Sequence, residues 1–403
     1  MTSDSLDTYT SPVIAGHRGF KGEYPENTLT GFNKCYETGA TVIETDLWLT
    51  LDEVIVISHD PNTKRVFVDS EGNETDYNIP KTSYEEVLKY LKTKEGGEPL
   101  LTFREVLQWF VDYVSESRSN IHKLMLDIKR LNPAKVLKFI IGDLLAVNND
   151  ISWWFHRIQL GVWDLNVVKY MNQDEFFQSL VKNSHGKNPL GWVWFDVFHI
   201  SVSWRDSIHY INYNFYLDTL KDEDSKTGIV RFKVTGISLL YFSTWSTGFL
   251  TKFLPLLRIQ RLKLYSWTIN TAVQYDFLSK VGKVADLPEY GVISDYPDQM
   301  VKHKEDEERK EEFEKNSVDE LSRLTPSSTD YYDEDGNLSV KLTFRMKFGN
   351  YFYESFQALA GSKRITDEEK QFDLEVDENK VAVVKVSQLF IWVFSTCQKL
   401  GIF

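Results

Sequence analysis

The sequence predicts an α/β protein built around a TIM (β/α)8 barrel. From residue 13 to about residue 300, short β-branched or apolar runs alternate with longer amphipathic stretches, as in repeated βα units. Several of the apolar runs end in histidine, acidic or basic residues, and barrel enzymes collect their catalytic groups at the C-terminal ends of the strands. The 403-residue chain is long enough for one barrel of about 250 residues with additional segments.

The individual strands and helices are predicted from the same periodicity. Eight apolar runs are expected to form the barrel, and an extra strand at Val54 to Ser58 is expected to pair with the end of the second one. Thr102 and Glu105 form a capping box, which is a signal for the start of a helix. The predicted barrel strands are Val13–His17, Val42–Leu47, Leu124–Lys129, Arg157–Gly161, Trp192–Val197, Gly236–Leu240, Lys263–Trp267 and Gly291–Ser294. The predicted helices include Asn27–Thr38, Ser83–Leu91 and Thr102–Val114.

Composition and charge limit the class of protein. With 42% hydrophobic and 14% aromatic residues, the chain has the composition of a folded globular protein. The net charge of −13 argues against a nucleic-acid partner, because binding a phosphate backbone requires a basic surface. Cys35 and Cys397 lie far apart in the sequence, which predicts a reducing compartment rather than a metal site.

The barrel is predicted to occupy residues 13–302, with a polar tail before it and a charged linker after it. Residues 1–12 form a polar tail without the features of a secretory signal, so the barrel is expected to face the cytosol. Residues 303–340 begin with a run of charged residues and continue with a segment rich in Ser, Thr and Asp, which predicts a charged linker made of a solvated helix and a flexible part.

Residues 341–403 are predicted to form a hydrophobic and amphipathic tail that associates with a membrane. Leu342 to Phe356 alternates basic and aromatic residues, as an interfacial helix does. Val381 to Phe403 is apolar but interrupted by lysines, so it suits a bilayer surface better than a full span. Packing against the barrel wall is the alternative for this tail, and Phe242 to Leu257 is a second candidate membrane surface. The expected location is the cytosol-facing side of an intracellular membrane (endoplasmic reticulum, lipid droplet or mitochondrial surface), with peripheral or tail-anchored attachment.

Three acidic residues form a candidate metal site. Glu44 and Asp46 are two residues apart on a predicted strand, so both carboxylates point to the same face. Asp127 ends another predicted strand and adds a third carboxylate. Oxygen ligands of this kind favour a divalent cation, Mg²⁺ or Ca²⁺. Lys129 shares a strand face with Asp127 and could stabilise phosphate charge, although an ion pair with Asp127 is the alternative.

Candidate groups for proton transfer and phosphate binding lie at other predicted strand ends. His17 and His59 are the candidate acid and base, because imidazole titrates near neutral pH. Arg18 suits a bidentate phosphate contact, with a salt bridge to Glu26 as the alternative. Trp267 could border the substrate or belong to the core. Asp295 is expected to cap the last barrel helix.

Taken in order, these residues resemble the glycerophosphodiester phosphodiesterase family over roughly residues 13–301. Within that family the chain is most similar to the fungal phosphatidylglycerol phospholipases C, which also have a hydrophobic C-terminal extension. Many family members have Glu at the position of Asp127. The motifs that carry the resemblance are His17-Arg18-Gly19, Tyr24-Pro25-Glu26-Asn27-Thr28, Val42-Ile43-Glu44-Thr45-Asp46-Leu47, His59-Asp60, Leu124-Met125-Leu126-Asp127-Ile128-Lys129 and Trp267-Thr268-Ile269-Asn270.

The resemblance implies a metal-dependent phosphodiesterase that hydrolyses a glycerophospholipid through His17 and His59. Phosphatidylglycerol is the expected substrate, and diacylglycerol and glycerol 3-phosphate are the expected products. A soluble glycerophosphodiester phosphodiesterase that releases glycerol 3-phosphate and an alcohol is one alternative. A non-catalytic lipid-binding barrel is another, and the sequence predicts no particular oligomeric state.

Overall fold

The computed structural model describes residues 11–184, 187–188, 191–220, 228–317, 340–359 and 365–382. Eight parallel strands form a closed barrel in the order β1-β13-β12-β11-β10-β7-β6-β2, and β1 pairs with β2 to complete the ring. The TIM-like barrel predicted from the sequence is therefore confirmed. The barrel strands are β1 (Val13–His17), β2 (Val42–Leu49), β6 (Lys123–Ile128), β7 (Ile158–Val162), β10 (Asp196–Ser201), β11 (Gly236–Leu240), β12 (Lys263–Trp267) and β13 (Tyr290–Ser294).

Short strands outside the ring complete the β structure. The predicted extra strand is β3, and it runs antiparallel to the end of β2 with Leu47 opposite Ile57. The fifth barrel strand begins four residues later than predicted, at Asp196 instead of Trp192. The apolar run before Asp196 is as hydrophobic as a strand, so hydrophobicity alone misplaced this boundary. The strands outside the ring are β3 (Ile55–Ile57), β4 (Phe67–Val68), β5 (Lys92–Thr93), β8 (Lys187–Asn188) and β9 (Gly191–Trp192).

The helices surround the barrel, and several of them begin at recognisable caps. Thr28 caps α1, and Thr102 and Glu105 form the predicted capping box of α2. The helix predicted at Ser83 to Leu91 is wrong, because the segment forms turns and only a short 3₁₀ helix at Leu88–Tyr90. The helices are α1 (Leu29–Glu37), α2 (Phe103–Ser117), α3 (Val136–Val147), α4 (Ile151–Trp154), α5 (Leu165–Gln173), α6 (Glu175–Asn183), α7 (Trp204–Thr219), α8 (Tyr241–Thr244), α9 (Leu254–Ile259), α10 (Ala272–Val284), α11 (Pro297–Ser317) and α12 (Phe344–Leu359).

The core has two main layers because successive strand residues point to opposite faces. Ile14 and Leu124 pack outward against the helices. Their neighbours Ala15 and Met125 belong to a separate cluster inside the barrel, which Tyr265 helps to fill. The barrel is therefore a filled core, and open space for a substrate is left at the ends of the strands.

The segments after the barrel include helical structure. Helix α11 continues through residue 317, so the first part of the charged region is helical, as predicted for the run of charged residues after residue 303. Helix α12 begins inside the predicted interfacial segment, extends three residues beyond its end and packs against α8. The second candidate membrane surface is wrong, because Trp245, Phe249 and Leu250 are buried in the core. Of the described residues, no helix is both long and apolar enough to cross a bilayer, and residues 383–403 of the predicted tail lie outside them.

Candidate active site

All eight site residues singled out in the sequence line one cleft at the C-terminal end of the barrel. The cleft has a volume of about 210 Å³ and combines a charged side with an apolar side. The charged side contains His17, Arg18, Glu44, Asp46, His59, Asp127, Lys129 and Asp295. The apolar side contains Met125, Trp163, Ile200, Val202, Leu240, Trp267 and Ile293.

The three predicted metal ligands lie together. Glu44 and Asp46 are on β2, and the strand register places Asp46 directly beside Asp127 on β6. Each residue offers a carboxylate oxygen, and these oxygens lie within 4.8 Å of one another. All three side chains are buried, and burial together with the neighbouring acids raises the pKa values of Glu44 and Asp127. Such a buried cluster of like charges fits a divalent cation.

Lys129 lies against this cluster. Its Nζ is 2.5 Å from Asp46 Oδ1 and 2.6 Å from Asp127 Oδ2, so the alternative ion pair with Asp127 is present. Burial opposes the charged form of Lys129, but Asp127, Asp46 and Glu44 outweigh this effect and raise its pKa. The ammonium group is therefore a fixed positive charge at the edge of the acidic cluster.

Arg18 binds the cluster through both its backbone and its side chain. Its backbone N–H donates to Glu44 Oε2 over 2.9 Å, and its Nε lies 3.6 Å from Asp46 Oδ2. The guanidinium also contacts Glu26 at 3.2 Å, so the alternative salt bridge forms as well. Arg65 makes two further contacts of 2.7 Å with Glu26. These neighbours hold Arg18 in place at the wall of the cleft.

The Pro25-Glu26-Asn27-Thr28 motif supports the site from the loop before α1. Asn27 Nδ2 donates to Asp46 Oδ2 over 2.9 Å, while Asn27 Oδ1 accepts from the Thr45 hydroxyl at 2.8 Å. Glu26 pairs with Arg18, and Thr28 caps α1. The motif therefore fixes the orientation of a metal-site carboxylate, a role that sequence reasoning did not assign to it.

The two candidate catalytic histidines are each oriented by an aspartate. His17 Nδ1 is 2.7 Å from Asp295 Oδ1, and His59 Nδ1 is 2.8 Å from Asp60 Oδ1. In both residues Nε2 remains as the nitrogen that can act on a substrate. Burial lowers the pKa of both histidines to about 4, and the positive charge of Arg18 acts in the same direction. Both imidazoles are therefore neutral at pH 7 and can accept a proton.

Asp295 belongs to this site, so the expectation that it caps the last helix is wrong. Besides His17, its carboxylate accepts from Asn270 Nδ2 at 3.0 Å and lies 3.5 Å from Lys21 Nζ. These partners lower the pKa of Asp295 despite its burial. Its position just after the eighth barrel strand was a sequence signal for a role in the cleft.

Two tryptophans form the aromatic wall of the cleft. Trp267 lines the cleft and also contacts both core clusters, so it combines the two roles considered from the sequence. Trp163 lies edge-on to Trp267 with ring centroids 6.0 Å apart. Its Nε1–H donates to Asp127 Oδ1 over 2.7 Å. Sequence reasoning missed Trp163, although it directly follows Val162 at the end of a barrel strand.

Comparison with known proteins agrees with the fold and the motifs. Residues 17–188 match the glycerophosphoryl diester phosphodiesterase family. The human protein lysophospholipase D GDPD1 is 37% identical over 292 residues, which cover 70% of this chain and 83% of the human protein. This chain therefore belongs to the glycerophosphoryl diester phosphodiesterase family, whose named relatives are phosphodiesterases.

One further relative and one solved structure also match the chain. A glycerophosphodiester phosphodiesterase from Bacillus altitudinis is 33% identical over 24% of this chain, and the chain spans 38% of its length. The crystal structure of a protein assigned as a glycerophosphoryl diester phosphodiesterase from Silicibacter pomeroyi covers 74% of this chain and 95% of its own, with a TM-score of 0.51 and 16% identity. At that identity the likeness supports the barrel fold alone.

Proposed function

We propose that the protein is a metal-dependent phosphodiesterase that hydrolyses a glycerophospholipid, with phosphatidylglycerol as its main substrate. The observation that carries this proposal is the buried triad of Glu44, Asp46 and Asp127 in one cleft with His17 and His59. The triad would hold Mg²⁺ or Ca²⁺, since its three ligands are carboxylate oxygens. The Asp295 and Asp60 contacts orient the two imidazoles for proton transfer.

The positive groups of the cleft are proposed to bind the phosphate. Arg18 and Lys129 both border the triad, and each is buried enough to hold its charge in a fixed place. A bound divalent cation would neutralise further charge on the phosphoryl oxygens during transfer. Arg18 and Lys129 would stabilise the charge that grows on those oxygens in the transition state.

The two histidines are proposed to divide the acid and base roles. One imidazole removes the proton from the attacking hydroxyl, which its low pKa permits because it is neutral at pH 7. The other donates a proton to the leaving alkoxide, and the negative charge of a bound phosphodiester would favour its protonated form. Each histidine then exchanges its role in the second step.

In phosphatidylglycerol the glycerol headgroup supplies a hydroxyl next to the phosphorus. Attack by its 2-hydroxyl would form one P–O bond, break the bond to diacylglycerol and leave a cyclic glycerol phosphate. Water would then open the ring to glycerol phosphate. Met125, Ile200, Val202 and Leu240 make one side of the cleft apolar, which favours a lipid over a fully polar diester.

Two alternative activities remain within the same family. A soluble diesterase would release glycerol 3-phosphate and an alcohol from deacylated glycerophosphodiesters, and the charged side of the cleft would bind the phosphate of that substrate in the same way. A cleavage of the type named for the human relative, lysophospholipase D, would leave the phosphate on the lipid. The third alternative, a lipid-binding barrel without turnover, is disfavoured by the complete set of acids and histidines.

A lipid substrate also implies a location at a membrane. We place the protein on the cytosol-facing side of an intracellular membrane, in contact with it through residues 341–403. The endoplasmic reticulum, lipid droplets and mitochondria each offer such a surface.

Product analysis on a panel of phospholipids and deacylated diesters, with Mg²⁺ or Ca²⁺ present, tests the proposal. Release of diacylglycerol and glycerol phosphate from phosphatidylglycerol supports it, and His59→Ala should abolish that release. Lysophosphatidic acid released from an added lysophospholipid would establish the lysophospholipase D type, whereas activity on deacylated diesters alone would establish the soluble diesterase. A lipid whose headgroup lacks the 2-hydroxyl should be resistant, and undiminished cleavage of it would exclude the cyclic intermediate.

A further inference from the structure

Helix α12 has two different faces. Its inner face packs on the barrel, with Met346, Asn350 and Tyr353 buried. Gly349 allows a close approach on this side, because an added Cβ would lie only 3.1 Å from the Phe242 ring. The outer face presents four aromatic rings to solvent. They are Phe344, Phe348, Tyr351 and Phe352, with exposed fractions of 83%, 60%, 72% and 57%.

These four rings form one stripe. Their spacing of four, three and one residues places them on a single side of an α-helix, opposite the buried side chains. A soluble surface rarely exposes so many adjacent large apolar side chains, and such patches mark interaction sites. Among the described residues, the packing of α12 involves its inner face, and the aromatic face is exposed.

Charge identifies the partner. Lys341, Arg345 and Lys347 are exposed beside the aromatic stripe. The segment from Lys341 to Tyr353 contains no acidic residue, whereas the whole chain has a net charge of −13. Aromatic side chains flanked by cations on an amphipathic helix fit the interface of an anionic bilayer, where rings insert among the headgroups and cations bind lipid phosphates.

The helix is attached beside the cleft. The Tyr353 hydroxyl donates to the carbonyl of Val202 over 2.8 Å, and Asn350 Nδ2 donates to the carbonyl of Phe242 over the same distance. Val202 and Leu240 line the apolar side of the cleft, and α8 directly follows β11. Because all barrel strands are parallel, α12 lies at the same end of the barrel as the catalytic groups.

We propose that the aromatic face of α12 docks on an anionic lipid bilayer and holds the open end of the barrel next to its substrate. The choice of a lipid bilayer as the partner rests on the proposed function, in which the substrate is a membrane lipid. The inference goes further by assigning the docking to one helical face and to the end of the barrel that carries the cleft.

Binding to vesicles of phosphatidylcholine and phosphatidylserine tests the proposal without turnover of the proposed substrate. The full chain is compared with a variant that carries Phe344→Ser, Phe348→Ser, Tyr351→Ser and Phe352→Ser. Removal of a ring from the interface should cost roughly tenfold in partitioning, so the variant should bind at least about 100-fold more weakly. A second variant, with Lys341→Glu, Arg345→Glu and Lys347→Glu, should lose the preference for phosphatidylserine.

A matched control removes exposed apolar side chains at the other end of the barrel. Ile121 precedes β6 and is 57% exposed, and Ile259 ends α9 and is 73% exposed. The pair Ile121→Ser and Ile259→Ser should bind vesicles like the wild type. The α12 variants should keep the wild-type melting temperature and the wild-type rate on a water-soluble diester, so a loss of vesicle binding can be separated from misfolding and from a failure of the proposed chemistry.

Two results would overturn the docking proposal. One is unchanged vesicle binding by the four-serine variant, because then another part of the chain contacts the bilayer. The other is a variant that sediments with a lower molecular mass than the wild type but binds vesicles as well as the wild type does. The aromatic face would then be a contact between two copies of the chain.

Discussion

Replacing Glu44 by Gln should have opposite effects on stability with and without a divalent cation. Glu44 is 5% exposed, and its carboxylate accepts a hydrogen bond from the backbone of Arg18 at 2.9 Å. The amide oxygen of glutamine can accept the same bond, so the change removes charge while keeping shape. Without a cation, the wild-type protein must hold three neighbouring acids in a buried cluster.

Burial and the neighbouring acids raise the pKa of Glu44. A carboxyl whose pKa is higher in the folded state than in the unfolded state lowers the stability of the fold at pH 7, where the unfolded state is ionised. Glu44→Gln removes this cost, so the cation-free variant should be more stable than the wild type. A cation at 100 times its dissociation constant should stabilise the wild type by about 2.7 kcal/mol, which for a chain of this length raises the melting temperature by about 3 °C.

Calorimetric melting in EDTA and in excess Mg²⁺ or Ca²⁺ measures both effects. The variant should melt at or above the wild-type temperature in EDTA and lose most of the shift caused by the cation. Asp164→Asn is the matched control, since Asp164 is also a buried acid with a raised pKa but lies outside the triad. This control should keep the full cation shift. A Glu44→Gln variant that is destabilised in EDTA and still responds fully to the cation would refute the metal-site reasoning.

Three further predictions concern other residues of the described structure. Burial and the neighbouring Glu369 raise the pKa of Asp164 to about 7, so the wild type loses stability as the pH rises from about 4 to about 7. The free energy of unfolding of Asp164→Asn, measured in urea, should therefore rise by about 2 kcal/mol relative to that of the wild type between pH 5 and pH 8. An equal pH dependence of the two proteins would contradict this. Trp163→Phe removes the 2.7 Å hydrogen bond to Asp127 and should weaken the affinity for the cation about tenfold, as measured by titration calorimetry. Unchanged affinity would show that the indole does not orient the Asp127 carboxylate. Asp295→Asn should lower kcat by roughly 10²-fold with little change in KM, because His17 loses its 2.7 Å carboxylate partner, and a wild-type kcat would exclude this positioning role.

The strand pattern and the site residues were largely predictable because both depend on local sequence. Apolar runs that end in polar residues located the barrel strands, and the two-residue spacing of Glu44 and Asp46 placed their side chains on one face. The capping box at Thr102 likewise forms as predicted, since it involves only neighbouring residues. The start of the fifth barrel strand was misplaced because the run from Trp192 to Val197 is hydrophobic on both sides of the true boundary.

The partners of the site residues were not predictable, because they come from distant parts of the chain. Asp295 reaches His17 across 278 positions of sequence, since β13 pairs with β1 to close the barrel. Trp163 reaches Asp127 because β7 lies next to β6. In the sequence, neither residue differs from an ordinary helix cap or core aromatic.

The sequence by itself determined the repeated βα pattern, the acids and histidines of the site, and the resemblance to a family of phosphodiesterases. Only the tertiary structure decided which side chains hold those groups in place and which face of α12 is left open to solvent. The physical reason is that hydrophobic period and residue type are local properties of the chain. Hydrogen-bond partners, burial and surface exposure instead depend on which strands and helices become neighbours when the barrel closes.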